Sequence, residues 1–298
     1  MGVFWGSVVH RSRAYTLIEV LVALTIIVVL AGLLAPVFVQ AREESRRAAC
    51  TMNFRQVSLS STLYQIDYDD RYVVAKYTAG IGGNAVTDRT WVQLVQPYLR
   101  SFDSTKCPSD FTQRPTNLGL FDEDLRKGDT AGRFYTISQR ANTGYNFIYL
   151  APLVLEQTGQ WISRSRSTSE LQDPSNTLVF GDSVWEVTPE GLPNGGGSYL
   201  IVPPCRWMAP ERVDSFGLGL SYPNSRIYTA SMVWDEPAPT GATHFGGLWP
   251  WHTGRMTTVM ADGSARAMTP ERVTAGCDVR VRWRGMINDS ERYIWDMR

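Results

Sequence analysis

The chain has 298 residues, and its 29 lysines and arginines balance its 29 aspartates and glutamates, so the formal net charge is zero. This balance argues against a nucleic-acid-binding protein, which would carry an excess of positive charge. With 43% hydrophobic and 19% charged residues, the composition excludes both a disordered chain and a chain embedded in the membrane over its whole length.

One apolar segment stands out near the N-terminus. Residues 20–39, VLVALTIIVVLAGLLAPVFV, contain no charged side chain, and a helix of this length crosses the hydrocarbon layer of a membrane at about 1.5 Å per residue. Residues 1–14 contain Arg11 and Arg13 but no acidic residue, which favours a cytoplasmic N-terminus. The sequence therefore predicts a single-pass inner-membrane protein that contacts lipid and exports the rest of its chain.

The junction between the basic leader and the apolar segment reads Arg13-Ala14-Tyr15-Thr16-Leu17-Ile18-Glu19-Val20. This octapeptide resembles the processing signal of prepilins and pseudopilins, with Ala14 and Tyr15 where that family usually has Gly and Phe. The resemblance implies cleavage after Ala14 by prepilin peptidase and methylation of the new amino group on Tyr15. It also implies that residues 1–14 are a leader, and that the partners are other pilin-like subunits and the filament assembly machinery.

Two residues of the apolar helix bear on assembly. Glu19 is costly in lipid unless its carboxylate finds a partner, and the resemblance implies that this partner is the N-terminal amine of a neighbouring subunit. The alternative is that Glu19 only complements the dipole at the start of its own helix. Pro36 matches a proline position of the family, and it removes one backbone donor and so loosens the helix.

The helical pattern continues beyond the membrane, because residues 40–66 contain neither Pro nor Gly. Two apolar sets recur at helical spacing on opposite sides: Ala48, Met52, Leu59, Leu63 and Ile66 form one set, and Cys50, Phe54, Val57, Tyr64 and Tyr68 form the other. We expect one set to pack on the protein's own head and the other to face neighbouring subunits; burial of both sets in one domain is the alternative. The predicted helix covers residues 15–66, with a membrane half at about 20–39.

From residue 67 onwards, short apolar runs alternate with Gly, Pro, Asn and Asp, a pattern typical of strands and loops. We predict strands within residues 71–77, 145–150, 177–180, 227–234 and 256–268, a short helix at 90–99, and a surface loop at 189–198. No internal repeat is present, so residues 67–298 are predicted to form one β-rich head. The fold class is therefore α+β, with a long membrane-spanning helix packed on that head.

A His and an Asp-Gly pair mark the C-terminal part of the chain. Nine residues separate His252 from Asp262, and the flanking runs predict a β-hairpin with Asp262 and Gly263 as its two-residue type I′ turn. This spacing is similar to the H-x9-DG motif of a subgroup of prepilin-type proteins. Further segments match that subgroup in the same order, at residues 46–56, 107–110, 144–146 and 180–183. We expect His252 to brace a loop by hydrogen bonds rather than to act in catalysis or bind a metal.

No catalytic residue is predicted, so we expect no enzyme. Gly181-Asp182-Ser183 resembles the nucleophile block of GDS-type lipases, but none of the three histidines lies in the Asp-x-x-His context that those hydrolases need. No Cys or His spacing indicates zinc, and no cofactor is expected. The acidic run at residues 67–70 lacks the glycine and distal glutamate of an EF-hand. A solvated helix end is expected there, with structural calcium as the alternative because some pseudopilins hold calcium in the head.

The four cysteines, Cys50, Cys107, Cys205 and Cys277, all lie on the predicted exported side, where disulfides persist. Four cysteines allow three pairings. We prefer Cys50 with Cys107, which ties the helix to the head, and Cys205 with Cys277, and buried free thiols are the alternative. The ten tryptophans are expected to serve packing.

Together with the resemblance, these features predict a structural subunit that is inserted as a single-span precursor. It would then be processed at Ala14 and assembled into a type IV pilus or a type II secretion pseudopilus-like filament. The alternative is a membrane-tethered binding protein that does not polymerise and whose head captures a ligand or a surface polymer.

Overall fold

The structure, a computed structural model, describes residues 15–77, 88–112, 134–135, 137–155, 161–188, 190–205, 207–208, 212–213, 247–277 and 286–298. The chain divides into two compact units, Met1–Glu44 and Ser45–Arg298. The leader with Ala14, the predicted strand at 227–234 and His244 lie outside the described residues.

In its described part, the first unit is the beginning of helix α1, which runs over Leu17–Asp67. Pro36 lies inside this helix, and because proline has no amide hydrogen, it cannot donate to the carbonyl of Gly32 four residues earlier. The large apolar side chains between Val20 and Val39 are all exposed. Among the described residues, α1 is the one helix long and apolar enough to cross a membrane, and its exposed apolar surface suits lipid.

In the second unit, α1 presents two different sides. The side chains of Cys50, Phe54, Val57 and Tyr64 are buried. The other predicted apolar set, together with Tyr68, is exposed. One side of this part of α1 therefore belongs to the core of the head, and the opposite side faces outwards.

The described part of the head is built from short elements. Its further helices are α2 (Trp91–Val95), α3 (Phe147–Leu150) and α4 (Pro270–Val273). Its 3-10 helices cover Gln96–Tyr98, Phe102–Thr105 and Thr168–Glu170. Its strands are β1 (Lys76–Tyr77), β2 (Arg89–Thr90), β3 (Thr143–Asn146), β4 (Leu153–Leu155), β5 (Trp161–Ser163), β6 (Leu178–Asp182), β7 (Glu186–Val187), β8 (Pro193–Asn194), β9 (Leu200–Ile201), β10 (Trp207–Met208), β11 (Arg212–Val213), β12 (Met256–Met260), β13 (Ala265–Met268) and β14 (Met286–Ile287).

A five-stranded sheet forms the centre of the head. Its strands lie in the order β13-β12-β6-β3-β9, and neighbours are antiparallel except for the parallel pair β3 and β9. Phe180 of the middle strand β6 lies opposite Tyr145 of β3 and Val259 of β12. Every residue of β3, β6 and β12 is buried, as expected for strands covered on both faces. The sheet and α1 confirm the predicted α+β class.

Two further features close the core beside this sheet. The buried residues Ile294 and Trp295 lie against it, because the amide of Leu178 donates to the carbonyl of Ile294 at 2.6 Å and the side-chain amide of Asn146 donates to the carbonyl of Trp295 at 2.8 Å. A disulfide joins Cys205 and Cys277, whose Cα atoms are 5.7 Å apart. Both features hold segments that are distant in sequence.

The predicted local elements agree with the structure in part. The short helix predicted at 90–99 is present as α2 and the 3-10 helix that follows, and Thr90 begins it with a capping box shared with Gln93. Of the strand predicted at 71–77, only β1 is regular. The apolar run at 145–150 leaves the sheet after Asn146 and becomes α3, since a short buried apolar run suits a strand or a helix equally well.

Candidate functional site

The start of α1 holds Glu19 in a capping box. Oε2 of Glu19 accepts hydrogen bonds from the backbone nitrogen of Thr16 at 2.8 Å and from its hydroxyl at 2.9 Å. The amide of Glu19 in turn donates to the hydroxyl oxygen of Thr16 at 3.3 Å. These bonds provide acceptors for backbone N–H groups at the start of the helix, which have no partner within the helix. Tyr15 and Glu19 are both exposed, so the carboxylate is accessible to a second, positively charged group.

A second site lies inside the head, where four side chains from separate elements converge. Cys50 belongs to α1, Cys107 follows the 3-10 helix Phe102–Thr105, Asp182 ends β6, and His252 precedes β12. We call these four residues the buried quartet. Their sulfur, oxygen and nitrogen ligand atoms all lie within 4.8 Å of one another, and none of the four residues is more than 3% exposed.

The contacts within the buried quartet are short. The thiol of Cys50 donates to Oδ1 of Asp182 at 3.4 Å. The sulfur of Cys107 and Nε2 of His252 are also 3.4 Å apart, and the same Nε2 lies 3.7 Å from Oδ2 of Asp182. Each member therefore contacts another member directly.

Neighbouring groups hold the buried quartet in place. The amide of Thr257 donates to Oδ2 of the quartet's carboxylate at 2.6 Å. The side-chain oxygen of Asn142 accepts from the amide of Cys107 at 2.9 Å. The hydroxyl of Ser109 lies 3.3 Å from Nδ1 of the imidazole. Asp182, Cys107 and His252 therefore each have a hydrogen-bond partner outside the quartet that helps to fix their positions.

The close approach changes the ionisation of the buried quartet. Burial, with the neighbouring Cys107, raises the pKa of Asp182 well above its usual range. The hydrogen bond between the two thiols raises the pKa of Cys50, and burial raises it further. The same bond, aided by His252, lowers the pKa of Cys107 to about 6. Of the two thiols, Cys107 is therefore the more acidic.

The turn after His252 directs its imidazole inwards. His252 and Arg255 exchange two backbone hydrogen bonds of 2.9 and 3.0 Å. The two residues between them, Thr253 and Gly254, have positive φ angles of 50° and 77°, the combination that a type I′ turn requires. A β-branched residue rarely adopts such a φ. The backbone of Thr253 is therefore strained, in the turn that directly follows His252.

The hairpin at Asp262 and Gly263 differs from the predicted two-residue turn. The amide of Met260 donates to the carbonyl of Ser264 at 3.0 Å, and the amide of Gly263 donates to the carbonyl of Met260 at 2.9 Å. Gly263 has a φ of 81°, whereas Asp262 has no positive φ. The loop therefore has three residues with glycine in the left-handed position, and Oδ1 of Asp262 accepts from the amide of Ser264 at 2.8 Å.

The cysteines agree with the preferred pairing at Cys205 and Cys277 and differ from it at Cys50 and Cys107. Cys205 and Cys277 form a disulfide, while the buried thiols of Cys50 and Cys107 are not joined and belong to the buried quartet. Sequence reasoning singled out Cys50, Cys107 and His252 separately and gave Asp182 no role. The segment at 180–183, noted only as part of a resemblance, contains the missing residue.

Two other candidates have structural roles. At the end of α1, Asp69 and Asp70 have φ angles of 53° and 55°, and the amide of Asp70 donates to the carbonyl of Gln65 at 2.9 Å; the exposed acidic run forms the turn that ends the helix. Ser183 is fully buried, and its hydroxyl donates to the carbonyl of Asn142 at 2.7 Å. This hydroxyl is held as a core hydrogen-bonding group and does not open onto a substrate site.

The buried quartet does not have the geometry of a nucleophilic triad. In such a triad the acid binds the imidazole nitrogen opposite the one that faces the nucleophile. Here Nε2 of His252 faces both Cys107 and Asp182, and Nδ1 faces Ser109. Two thiols, an imidazole and a carboxylate instead form a donor set of the kind that binds metal ions.

The exposed apolar helix fits a single-pass membrane-anchored protein, and the helix together with the β-rich head is consistent with an α+β pilin-like fold. Residues 9–35 match the family model described as the prokaryotic N-terminal methylation motif. This match supports a pilin-type or pseudopilin-like subunit that prepilin peptidase processes, and it points to a structural subunit. No curated protein and no solved structure matches the chain.

Proposed function

We propose that the chain is cut after Ala14, methylated on Tyr15 and assembled through α1 into a type IV pilus or pseudopilus-like filament. The observation that carries this proposal is the methylation motif at residues 9–35, placed directly at the start of a helix whose apolar side chains are exposed. The basic leader keeps the N-terminus in the cytoplasm, and the head is exported.

The exposed side of α1 supplies the energy for lateral assembly. In the head unit, Leu59 is 61% exposed and Ile66 is 66% exposed. Full burial of such a side chain stabilises a protein by about 1.5–3 kcal/mol. Contact with the helix of a neighbouring subunit removes this surface from water, as lipid does for the apolar residues 20–39.

Cleavage creates a charge that matches Glu19. The new amino group lies on Tyr15, four positions before Glu19, and a positive amine is the partner that lowers the cost of a carboxylate in lipid. Thr16 already occupies Oε2 of Glu19. A carboxylate can accept several hydrogen bonds at its two oxygens, so the capping box and a contact with a neighbour's amine are compatible.

Processing is tested on Ala14. In a host that has prepilin peptidase, we expect the intact mass of the membrane-extracted protein to lack residues 1–14 and to include one added methyl group. Ala14→Leu should leave at least about 90% of the protein uncut, because a branched side chain replaces the small one at the scissile bond. Ala23→Leu, inside the apolar segment, is the control and should be processed normally. Uncut wild-type protein in that host would contradict the proposal.

Glu19→Gln separates the two roles of the carboxylate. Gln keeps the capping box, since Glu and Gln both serve at this position, but it removes the negative charge. We expect the variant to insert and be processed normally, and to form at least tenfold fewer oligomers. The measurement is bismaleimide crosslinking in intact membranes through Leu59→Cys, which places a thiol on the exposed side of α1.

Glu44→Gln, a charge removal on the same helix beyond the apolar segment, is the matched control and should preserve the oligomer ladder. An unchanged ladder with Glu19→Gln would show that the carboxylate only caps its own helix. If the wild type, Glu19→Gln and Glu44→Gln all gave only monomer, the proposal of filament assembly would be overturned and the tethered binding protein would be favoured.

A further inference from the structure

The buried quartet combines donors of the types that bind zinc. Zinc in proteins takes cysteine sulfur, histidine nitrogen and carboxylate oxygen, and structural sites have four protein ligands. The quartet offers two sulfurs, one nitrogen and one carboxylate. Softer ions share the preference for thiolate, but a carboxylate beside two thiolates and an imidazole suits the borderline ion Zn²⁺.

The distances fit a tetrahedral ion. Zinc bonds of about 2.3 Å to sulfur and about 2.0–2.2 Å to nitrogen or oxygen place neighbouring ligand atoms about 3.3–3.8 Å apart. Three of the six pairs of ligand atoms lie in this range, at 3.4 Å for Cys50 with Asp182, 3.4 Å for Cys107 with His252 and 3.7 Å for His252 with Asp182, and all six lie within 4.8 Å. A disulfide would draw the two sulfurs to about 2.05 Å and would use neither the carboxylate nor the imidazole.

Charge also favours an ion at this place. Asp182 is fully buried, and a buried carboxylate is costly unless a positive partner compensates it. A divalent cation bound by two thiolates and one carboxylate leaves a net charge of only about −1, and the amide that Thr257 donates to Asp182 offsets part of it. The ion therefore compensates the charge of this buried carboxylate by taking it as a ligand.

The surroundings supply the outer contacts that metal ligands need. A metal-bound histidine fixes its orientation through its other nitrogen, and ligating carboxylates accept further hydrogen bonds. Ser109 faces Nδ1 of His252, which leaves Nε2 for the ion. The amide of Thr257 binds one carboxylate oxygen, and the hydroxyl of Thr257 lies 3.6 Å from the sulfur of Cys50.

We infer that Cys50, Cys107, Asp182 and His252 bind one Zn²⁺ ion that fastens α1 to the central sheet of the head. Binding displaces the water of the hydrated ion and releases to solvent the protons that the two thiols and the carboxyl group of Asp182 carry in the absence of the ion; no oxidant or reductant takes part. Because all four ligands are buried, the ion binds as the head folds. This inference is independent of cleavage and filament assembly.

The test uses the full chain, extracted from membranes in detergent without chelator and without a histidine tag. We expect about one zinc per chain by inductively coupled plasma and native mass spectrometry. Cys50→Ser, Cys107→Ser, Asp182→Asn and His252→Gln should each reduce the zinc retained after dialysis at least about tenfold. The double variant Cys205→Ser, Cys277→Ser removes two other cysteines and should keep its zinc.

Two measurements on the unaltered chain cover the case in which a variant does not fold. Protein made in cobalt-supplemented, zinc-limited medium should show the visible absorption of tetrahedral Co²⁺ bound by thiolates. In the second measurement, the wild-type chain is unfolded with chelator but without reductant, and we expect a thiol reagent to alkylate Cys50 and Cys107 only. Alkylation at neither position together with no bound metal would show a second disulfide and overturn the inference. Zinc retained by all four single variants would show adventitious binding and overturn it as well.

Discussion

Trp295→Ala is expected to lower the free energy of unfolding of the head by about 3–5 kcal/mol, the range for removing a large aromatic side chain from a core. The indole is fully buried, and its Nε1 donates to the carbonyl of Val273 at 2.9 Å. The substitution therefore opens a large cavity and removes the donor of a buried carbonyl. Urea unfolding of the detergent-solubilised full chain, followed by near-ultraviolet circular dichroism, measures the loss.

Two substitutions separate the contributions of volume and hydrogen bonding. Trp295→Phe keeps most of the apolar volume but loses the bond to Val273, so we expect a loss of about 1–3 kcal/mol. Trp249→Ala removes an indole that is only partly buried, and its effect should be clearly smaller than that of Trp295→Ala. Equal effects of the two alanine variants would contradict the assignment of Trp295 to the core.

Gly197→Ala is expected to destabilise the head by on the order of 3 kcal/mol or more, at the upper end of the range for overpacking. A Cβ at this position would lie 2.2 Å from Cα of Asn142 and 2.3 Å from the carbonyl oxygen of Ala141. Both are backbone atoms, so the two segments have to separate. That separation also stretches the bonds of Ser183, whose hydroxyl accepts from the amide of Ser198 at 3.0 Å.

Gly191→Ala is the matched control for this clash. Gly191 has a φ of 79°, but nothing lies within 4 Å of a Cβ added there. Only the backbone strain of a left-handed residue applies, about 1–2 kcal/mol. Thermal unfolding monitored by tryptophan fluorescence compares the two variants, and a Gly197→Ala midpoint equal to that of Gly191→Ala would show that the segments at 141–142 and 197 are not in contact.

Local sequence patterns predicted the parts of the fold that local physics determines. The absence of Pro and Gly after residue 39 and the helical spacing of the apolar residues predicted α1 and its two opposite apolar sides, and the structure shows that the side with Phe54 and Val57 is the buried one. The apolar runs around Asp262 and Gly263 predicted the hairpin of β12 and β13. In both cases, the residues that determine the structure are close together in the chain.

The remaining features depend on contacts between distant segments. The turn with two positive φ angles lies at Thr253 and Gly254, because the burial of His252 outweighs the poor turn preference of threonine. The glycines at 196–197, predicted to lie in a surface loop, are buried against residues 141–142. Burial of glycine here reflects the close approach of two backbones, which composition alone does not indicate.

The buried quartet was missed for the same reason. Cys50 and Asp182 are 132 positions apart, and Cys107 and His252 are 145 positions apart. Metal-site signatures in sequences rely on pairs of ligands a few residues apart, and the quartet contains no such pair. The order of the strands in the sheet brings Asp182 and His252 together, and the packing of α1 and of the segment after the 3-10 helix Phe102–Thr105 adds Cys50 and Cys107.

That strand order also governs how fast the head closes. β6 pairs with β12, which follows it by more than 70 residues, and both strands lie more than 100 residues after the end of α1 in the chain. Chain entropy is lost in forming such non-local pairs before their contacts stabilise them, so we expect folding over about milliseconds to seconds. If the head is exported as proposed, the thiols of Cys50 and Cys107 meet oxidising conditions during that interval. The rate at which the sheet closes over the two thiols then competes with the rate of their oxidation to a disulfide.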